Sequence, residues 1–560
     1  MFRAGAKASM SSCILLPPSY VFQSTKTDKT TAGFTVPINA EKVALRFSRQ
    51  LQADRSKSAV ARNRLGQFST PYPLACKMAK RCLSHIPADQ PLRFLEPALG
   101  SGVFFSALTK EMGERFLQEA VGVEVDPLYA EIARAIWPAD RLAICQGDFF
   151  PFAADAGNHR RSNLLCTNPP YVRHHHLDPD WKLVLQARVK SLLGLEVSGL
   201  AGLYVYFMLL ADALLAPDAV ASWLLPSEFL FVNYGKVLRE YLTRHVTLLD
   251  IHQFDPDEVQ FDDALVSSCV VTYRKRRPTA TDQFTFQFGG DLLYPKRTSL
   301  LNAFEQTGKP KWSFALPDED VIAGAEADLI RLGDLFQIRR GIATGANDFF
   351  VVNREIAEKY AIPSRFLKPL LPSPRYLKTD VIEADADGMP LLDEVDFLLD
   401  CNLPPAQVQS QFPGLWEYLQ AGVAQGIPQG YLCASREFWY SQEQREPSPF
   451  LVSYMGRINA AGKSPIRFII NYSRAISTNV YLHLYPTPKL RPLLAQEPAR
   501  LSELHALLNT VTLADLARNG RVYGGGLHKV EPKEIAGVPL SNLPSWLLST
   551  FTPQPALLNV

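Results

Sequence analysis

The chain has 560 residues, 47% of them hydrophobic and 20% charged, which is the make-up of a globular protein with room for two or three cored domains. No apolar run approaches the ~18 residues of a membrane span, so a membrane partner is excluded. The net charge of +2 names no partner by itself, because a nucleic-acid binder can gather its basic side chains on one face.

Between Met1 and Gln23 the apolar run Cys13 to Leu16 meets Pro17-Pro18 almost at once. That is too short for a secretory signal, and a cytoplasmic protein is expected. The eight cysteines are scattered, with no Cys-x-x-Cys pair. Cys145, Cys166 and Cys269 lie in apolar strands and read as small core hydrophobes, so neither zinc nor a disulfide framework is expected. Residues 1–60 are rich in Ser, Thr, Lys and Arg with weak periodicity. They read as a flexible basic arm with one short helix near Glu41 to Leu51, either touching phosphates or simply solvated.

From 61 to 277 short apolar strands alternate with amphipathic helices. Strands are predicted at Leu92 to Glu96, Ala120 to Val125, Arg141 to Gln146, Asn163 to Thr167, Ala219 to Leu225, Val246 to His252 and Leu265 to Tyr273. Helices are predicted at Pro71 to Leu83, Pro127 to Ile136, Tyr204 to Leu215 and Tyr234 to Arg244. This alternation predicts an α/β fold with a doubly wound, Rossmann-like and largely parallel sheet. No helix separates the last two strands, so an antiparallel hairpin is expected at one edge. The cluster Lys275-Arg276-Arg277-Pro278 reads as a linker to a second, α+β domain over 278–560. Its glycine-rich stretches, Gly341 to Asn347 and Tyr523 to Leu527, are not phosphate loops, since no Gly-Lys-Ser/Thr follows.

In an open α/β sheet the ligand lies outside the carboxyl ends of the strands, at the switch point. The first strand runs into Glu96-Pro97-Ala98-Leu99-Gly100-Ser101-Gly102, where Gly100 and Gly102 let backbone approach a ligand and the following helix start favours a carboxylate. A lone Gly-x-Gly also serves as a plain strand-to-helix turn. The next strand ends at Glu124, placed to accept from ribose hydroxyls. A third ends at Gly147-Asp148-Phe149, with Asp148 able to accept from an adenine amine and Phe149 to pack on its face. The spacing is not Gly-x-Gly-x-x-Gly, which weakens a dinucleotide. A ligand with a carboxylate, a ribose and an adenine but no pyrophosphate fits better, namely S-adenosylmethionine. The fourth strand ends at Asn168-Pro169-Pro170-Tyr171, a corner stiffened by two prolines. The Asn168 side-chain oxygen and the Pro169 carbonyl could accept both hydrogens of an exocyclic amine and free its delocalised lone pair, while Tyr171 offers a flat face to a base. The run His174-His175-His176 cannot turn three imidazoles to one ion and reads as a polar loop, so no metal is expected.

These segments in this order resemble the adenine-N6 DNA methyltransferases of the γ arrangement, most like the TaqI type. The likeness covers Gly66-Gln67-Phe68-Ser69-Thr70-Pro71, Phe94 to Ala98, Val121 to Glu124, Gly147 to Phe149, Asn168 to Tyr171, Gly202 to Phe207, Leu225-Pro226-Ser227 and Val259 to Val266. The resemblance implies that Thr70, Glu96, Ala98, Gly100, Glu124, Asp148, Phe149 and Pro170 line the cofactor. It implies that Asn168, Pro169, Tyr171 and Phe261 hold a flipped adenine in duplex DNA. The second half is similar to the family's target-recognition domain at Arg340 to Phe350, Lys368 to Leu371, Thr478 to Tyr481 and Tyr523 to Leu527. A modification enzyme with any cognate restriction endonuclease on a separate chain is the expected setting. Methyltransferases of ribosomal RNA or of protein glutamine also use Asn-Pro-Pro-Tyr and stand as the alternative.

Overall fold

Six consecutive buried residues, Ser162 to Thr167, form an interior strand of a nine-stranded sheet in a computed structural model of the chain. The structure describes residues 40–58, 62, 65–255, 267–309, 311–312, 329–457, 466–512, 515–516, 521–523 and 527–551. Two compact units divide the chain, Met1–Leu316 and Pro317–Val560.

In the first unit the strands are β1 (Leu92–Glu96), β2 (Leu117–Glu124), β3 (Ala143–Gln146), β4 (Ser162–Thr167), β5 (Leu215–Pro226), β6 (Thr247–Gln253), β7 (Ser268–Arg274), β8 (Gln283–Gly290) and β9 (Pro295–Asn302). Their order across the sheet is β3-β2-β1-β4-β5-β7-β6-β8-β9. The first five are mutually parallel. The helices are α1 (Ala40–Ser56), α2 (Tyr72–Ser84), α3 (Val103–Glu111), α4 (Pro127–Ile136), α5 (Phe149–Ala154), α6 (Pro179–Leu193), α7 (Leu203–Leu210) and α8 (Lys236–Arg244). The order in which strands are added reverses between β1 and β4, which makes that gap the switch point.

The two-residue side-chain period divides each strand between two cores. Phe94, Leu164 and Cys166 pack into one cluster with α2 and α3, while Leu95 and Leu165 pack into the other with α5 and α7. Covered on both faces, β1 and β4 read as continuous apolar runs. The hairpin expected from the last two predicted strands forms as the antiparallel pair β6 and β7. The sheet then continues: β8 lies parallel to β6, and β9 closes the edge antiparallel to β8. Residues 283–302 therefore extend the first sheet beyond the linker read at 277, held by Phe284 and Phe286 turned into its core.

Helix α1 is longer than the short helix expected and is no free arm. It packs on α4, with Arg46 and Ala53 buried. Polar side chains at 46, 50, 54 and 57 fasten it, which is why apolar periodicity hardly marks it.

The second unit is α+β. A five-stranded sheet contains β10 (Phe336–Arg340), β13 (Val381–Ile382), β15 (Phe450–Ser453), β17 (Phe468–Asn471) and β18 (Tyr481–Pro486), in the order β10-β18-β15-β17-β13. Three-stranded sheets are built from β11 (Val351–Val352), β14 (Asp396–Leu399) and β12 (Leu367–Leu370), and from β16 (Met455–Arg457), β20 (Leu527–Lys529) and β19 (Arg521–Tyr523). No helix among the described residues is long and apolar enough to cross a membrane.

Candidate active site

Because β1 to β5 run parallel, their carboxyl ends share one side of the sheet and bring Glu96, Glu124, Asp148 and Asn168 to it. Glu96 is fully buried, and one oxygen accepts from the Phe105 amide at 3.2 Å. Its Oε1 has no partner among the described residues. Burial pushes this carboxyl far above its ordinary pKa, against the amides of Phe105 and Phe104 and the more distant Arg46. A cationic ligand at Oε1 would return it to the ionised form.

Gly100 has φ +56°, and its amide donates to Glu124 Oε2 at 2.7 Å, while the Asp126 amide donates to Oε1 at 2.8 Å. The loop after β1 is thus tied to the end of β2. Glu124 is pushed up to about 7 by burial, with those two amides opposing the shift. Gly102, at φ +84°, lies where a Cβ would come within 2.5 Å of Trp137 Nε1. Ala98 is half-buried in the same loop.

Asp148 caps α5 and accepts from the Phe150 amide at 3.0 Å. Burial raises its pKa, opposed by that amide and by Arg188. The Phe149 ring is buried and stacked on Phe207, centroids 4.7 Å apart, so one of its faces is already covered.

Beyond β4, Asn168 Nδ2 donates to the Phe68 carbonyl at 3.2 Å and to Thr70 Oγ1 at 3.1 Å. A backbone carbonyl can only accept, so it fixes which end of the amide faces it. Asn168 Oδ1 consequently points elsewhere, buried and without a partner among the described residues. Thr70 is buried, Pro169 is buried and Pro170 half-buried. The Tyr171 hydroxyl donates to the Leu224 carbonyl at 3.0 Å, and its half-buried ring lies 5.7 Å from that of Phe68. Phe261 and its segment lie outside the described residues.

Sequence reading overlooked several participants. Gly66 approaches Tyr171 so closely that a Cβ there would sit 2.4 Å from the Tyr171 nitrogen. Gln67 donates to Asp126, which also pairs with Lys57. Arg46 and Gln50 of α1 reach Ser101 in the loop after β1. Gly66 and Gln67 carried a signal, as the opening of the Gly-Gln-Phe-Ser-Thr-Pro run. The histidine run makes a short turn, His174–His176, beyond the corner. Among the described residues no three His, Cys, Asp or Glu side chains group to hold a metal.

Within the second unit, separated stretches converge. The Gly341 amide donates to the Tyr481 carbonyl at 3.0 Å, Ile342 bridges to Thr478, and Leu370 bridges to Ile476. A Cβ at Gly341 would meet the Thr478 oxygen at 2.1 Å, which accounts for glycine there. Residues 524–526 of the last glycine-rich stretch lie outside the described ones.

The parallel strand ends of a doubly wound sheet thus gather two buried glutamates, a capping aspartate and a rigid Asn-Pro-Pro-Tyr corner. Residues 150–261 match the Eco57I restriction-modification methylase family, and residues 320–552 match the C-terminal domain of the type II methyltransferase M.Eco57I. The type II methyltransferase M.AccI of Acinetobacter calcoaceticus is 29% identical over 87% of this chain and 87% of its own length. M.XamI of Xanthomonas campestris pv. amaranthicola is 27% identical over 86% of each. A tRNA1(Val) (adenine(37)-N6)-methyltransferase of Porphyromonas gingivalis is 35% identical over 105 residues, 18% of this chain and 40% of that one. Both parts of the chain are therefore similar to type II restriction-modification methylases.

Proposed function

We propose that this protein transfers a methyl group from S-adenosylmethionine to the N6 amine of an adenine flipped out of duplex DNA. The observation that carries the reading is the orientation of Asn168: its NH2 is held by Phe68 and Thr70, leaving a buried oxygen with no partner among the described residues. A buried acceptor left unpaired is destabilising by about 1–3 kcal/mol, and a substrate donor would remove that penalty. The donor set also suits the cofactor, with Glu96 open to a cation and Glu124 to sugar hydroxyls.

S-adenosylmethionine, when bound, supplies a methyl already activated on a sulfonium. The remaining work falls to the chain. Asn168 Oδ1 and the Pro169 carbonyl accept the hydrogens of the target amine and favour a tetrahedral nitrogen. Tyr171, anchored through its hydroxyl, gives the base a face, and Phe261 is assigned the other. Extruding a base costs a few kcal/mol, and each base–aromatic contact returns about 1–3 kcal/mol, so two rings offset the flip. Glu96, Glu124 and Asp148 position the cofactor, with Thr70, Ala98, Gly100, Phe149 and Pro170 around it. No dedicated base is required, because the methylated amine is cationic and loses its proton readily. The second unit is assigned to reading the DNA sequence, and a cognate endonuclease to a separate chain. The adenine-N6 chemistry in the name of the tRNA-modifying relative, which is similar to this chain over 105 residues, favours adenine as the target base.

Asn168→Ala should abolish methylation while calorimetric affinity for S-adenosylmethionine survives. Near-normal methylation by that variant, read by mapping modified adenines in a host genome, would refute the assignment. Phe261→Ala should reduce 2-aminopurine fluorescence at the target position, and an unchanged signal would remove Phe261 from the base pocket.

A further inference from the structure

We propose that Arg46, carried by α1, binds the carboxylate at the amino-acid end of the methyl donor and forms with Glu96 a receptor for a zwitterion. The inference rests on the S-adenosylmethionine reading above. Arg46 is 2% exposed although it projects from an otherwise largely exposed helix. Its Nη1 donates to Ser101 Oγ at 3.1 Å, in the loop after β1, and to Gln50 Oε1 at 2.9 Å. Its Nε has no partner among the described residues. The Tyr72 ring, two residues beyond Thr70, lies 5.7 Å from the guanidinium carbon.

Glu96 presents the complementary defect, a buried Oε1 with nothing to accept from among the described residues. The two side chains influence each other's ionisation, yet no ion pair joins them. An open donor on a buried cation and an open acceptor on a buried acid, beside one loop, describe a place for a group carrying both signs. The amino-acid end of the donor is such a group, its ammonium suited to Glu96 and its carboxylate to Arg46. Arginine suits this role because its planar fork can hold Ser101 with one nitrogen and a carboxylate with others.

The rest of α1 keeps Arg46 in place. Gln50 donates to Ser69 Oγ at 2.6 Å, Ser69 donates to Asp54 at 2.7 Å, and Tyr129 also donates to Asp54. Lys57, just past the helix, pairs with Asp126 at the end of β2. These contacts join α1 to the segment before α2, to the loop after β1 and to α4, the same elements that frame the cofactor residues.

The test titrates the whole protein calorimetrically with S-adenosylmethionine and with its decarboxylated form, which keeps the sulfonium, the adenosine and the amine. Wild-type protein should prefer the carboxylate-bearing ligand by about 10- to 100-fold, the range of a charge-assisted contact. Arg46→Met should remove that preference and leave affinity for the decarboxylated ligand within about threefold, while Arg46→Lys should keep part of it. Equal wild-type affinity for the two ligands, or an equal loss of both in Arg46→Met, overturns the assignment of Arg46. Wild-type protein that binds neither ligand overturns the cofactor reading, and this inference with it. The wild-type comparison decides the matter even where a variant fails to fold.

Discussion

At the scale of single residues, Gly66 determines where the Asn-Pro-Pro-Tyr corner can sit. Its φ of +65° is left-handed, and its carbonyl accepts from the Tyr171 amide at 3.3 Å. A Cβ would press on the Tyr171 nitrogen and carbonyl carbon, backbone atoms that cannot swing aside as a side-chain tip could. Gly66→Ala should therefore destabilise the protein by at least about 1–2 kcal/mol from the left-handed conformation alone. Displacement of Tyr171 should lower turnover more than donor affinity; denaturant midpoints, kcat and calorimetric Kd together check this. Glu124 carries the pH dependence. Its carboxyl is raised in the folded state from 4.5 to about 7 by burial, with Asp126 adding to the rise and Lys57 and two backbone amides opposing it. The protonated form thus favours folding below about 4.5, and that contribution is lost as pH rises through about 7. A ribose hydroxyl as donor selects the carboxylate, so donor affinity should climb as pH rises through the same range. The expected gain between pH 6 and 8 is about tenfold, the change in ionised fraction across a pKa of 7. Glu124→Gln should bind more weakly and show no such slope.

At the scale of elements, β1 to β5 were legible because each is an apolar run of strand length ending in glycine, proline, asparagine or acid, and the chemistry stands where those runs stop. The corner residues were legible for the same reason: Asn168 follows a strand whose six residues are all buried. Helix α1 was not legible in the same way. Its docked face is Arg46, Gln50, Asp54 and Lys57, and periodicity detects apolar stripes rather than hydrogen-bonding ones. Strands β8 and β9 were hidden too, because β8 follows a basic cluster that reads as a linker and β9 is mostly polar. The orphaned oxygens of Glu96 and Asn168 are unreadable in any sequence, since they depend on which partners the other atoms have already taken. Removal of residues 1–56 tests the weight of α1. It would uncover Ser101, Ser69 and Tyr129 and take away the helix that leads Lys57 to Asp126. A lowered melting temperature and loss of measurable donor binding are expected. Undiminished affinity in the shortened chain would reduce α1 to decoration.

At the scale of the whole molecule, the proposed function assigns chemistry and sequence reading to separately cored units. The first has its two hydrophobic clusters on the faces of the nine-stranded sheet. The second has its own, one around Phe450, Leu482 and Leu484 and another around Phe349, Leu398 and Leu415. Every residue assigned here to cofactor or target base belongs to the first unit, so the identity of the methylated atom should be fixed there. Discrimination among DNA sequences rests on side chains that reach base edges, about 1–3 kcal/mol for each good bidentate pair, and these are expected from the second. M.XamI matches this chain across 86% of both lengths, which makes it a donor for an exchange of residues 317–560. The hybrid should modify the M.XamI site, still at adenine N6, with Asn168 still indispensable. Mapping modified bases across a host genome reads both properties at once. Modification that stays at the original sequence after the exchange would assign sequence reading to the first unit, and modification of another base would remove the target from the Asn168 corner.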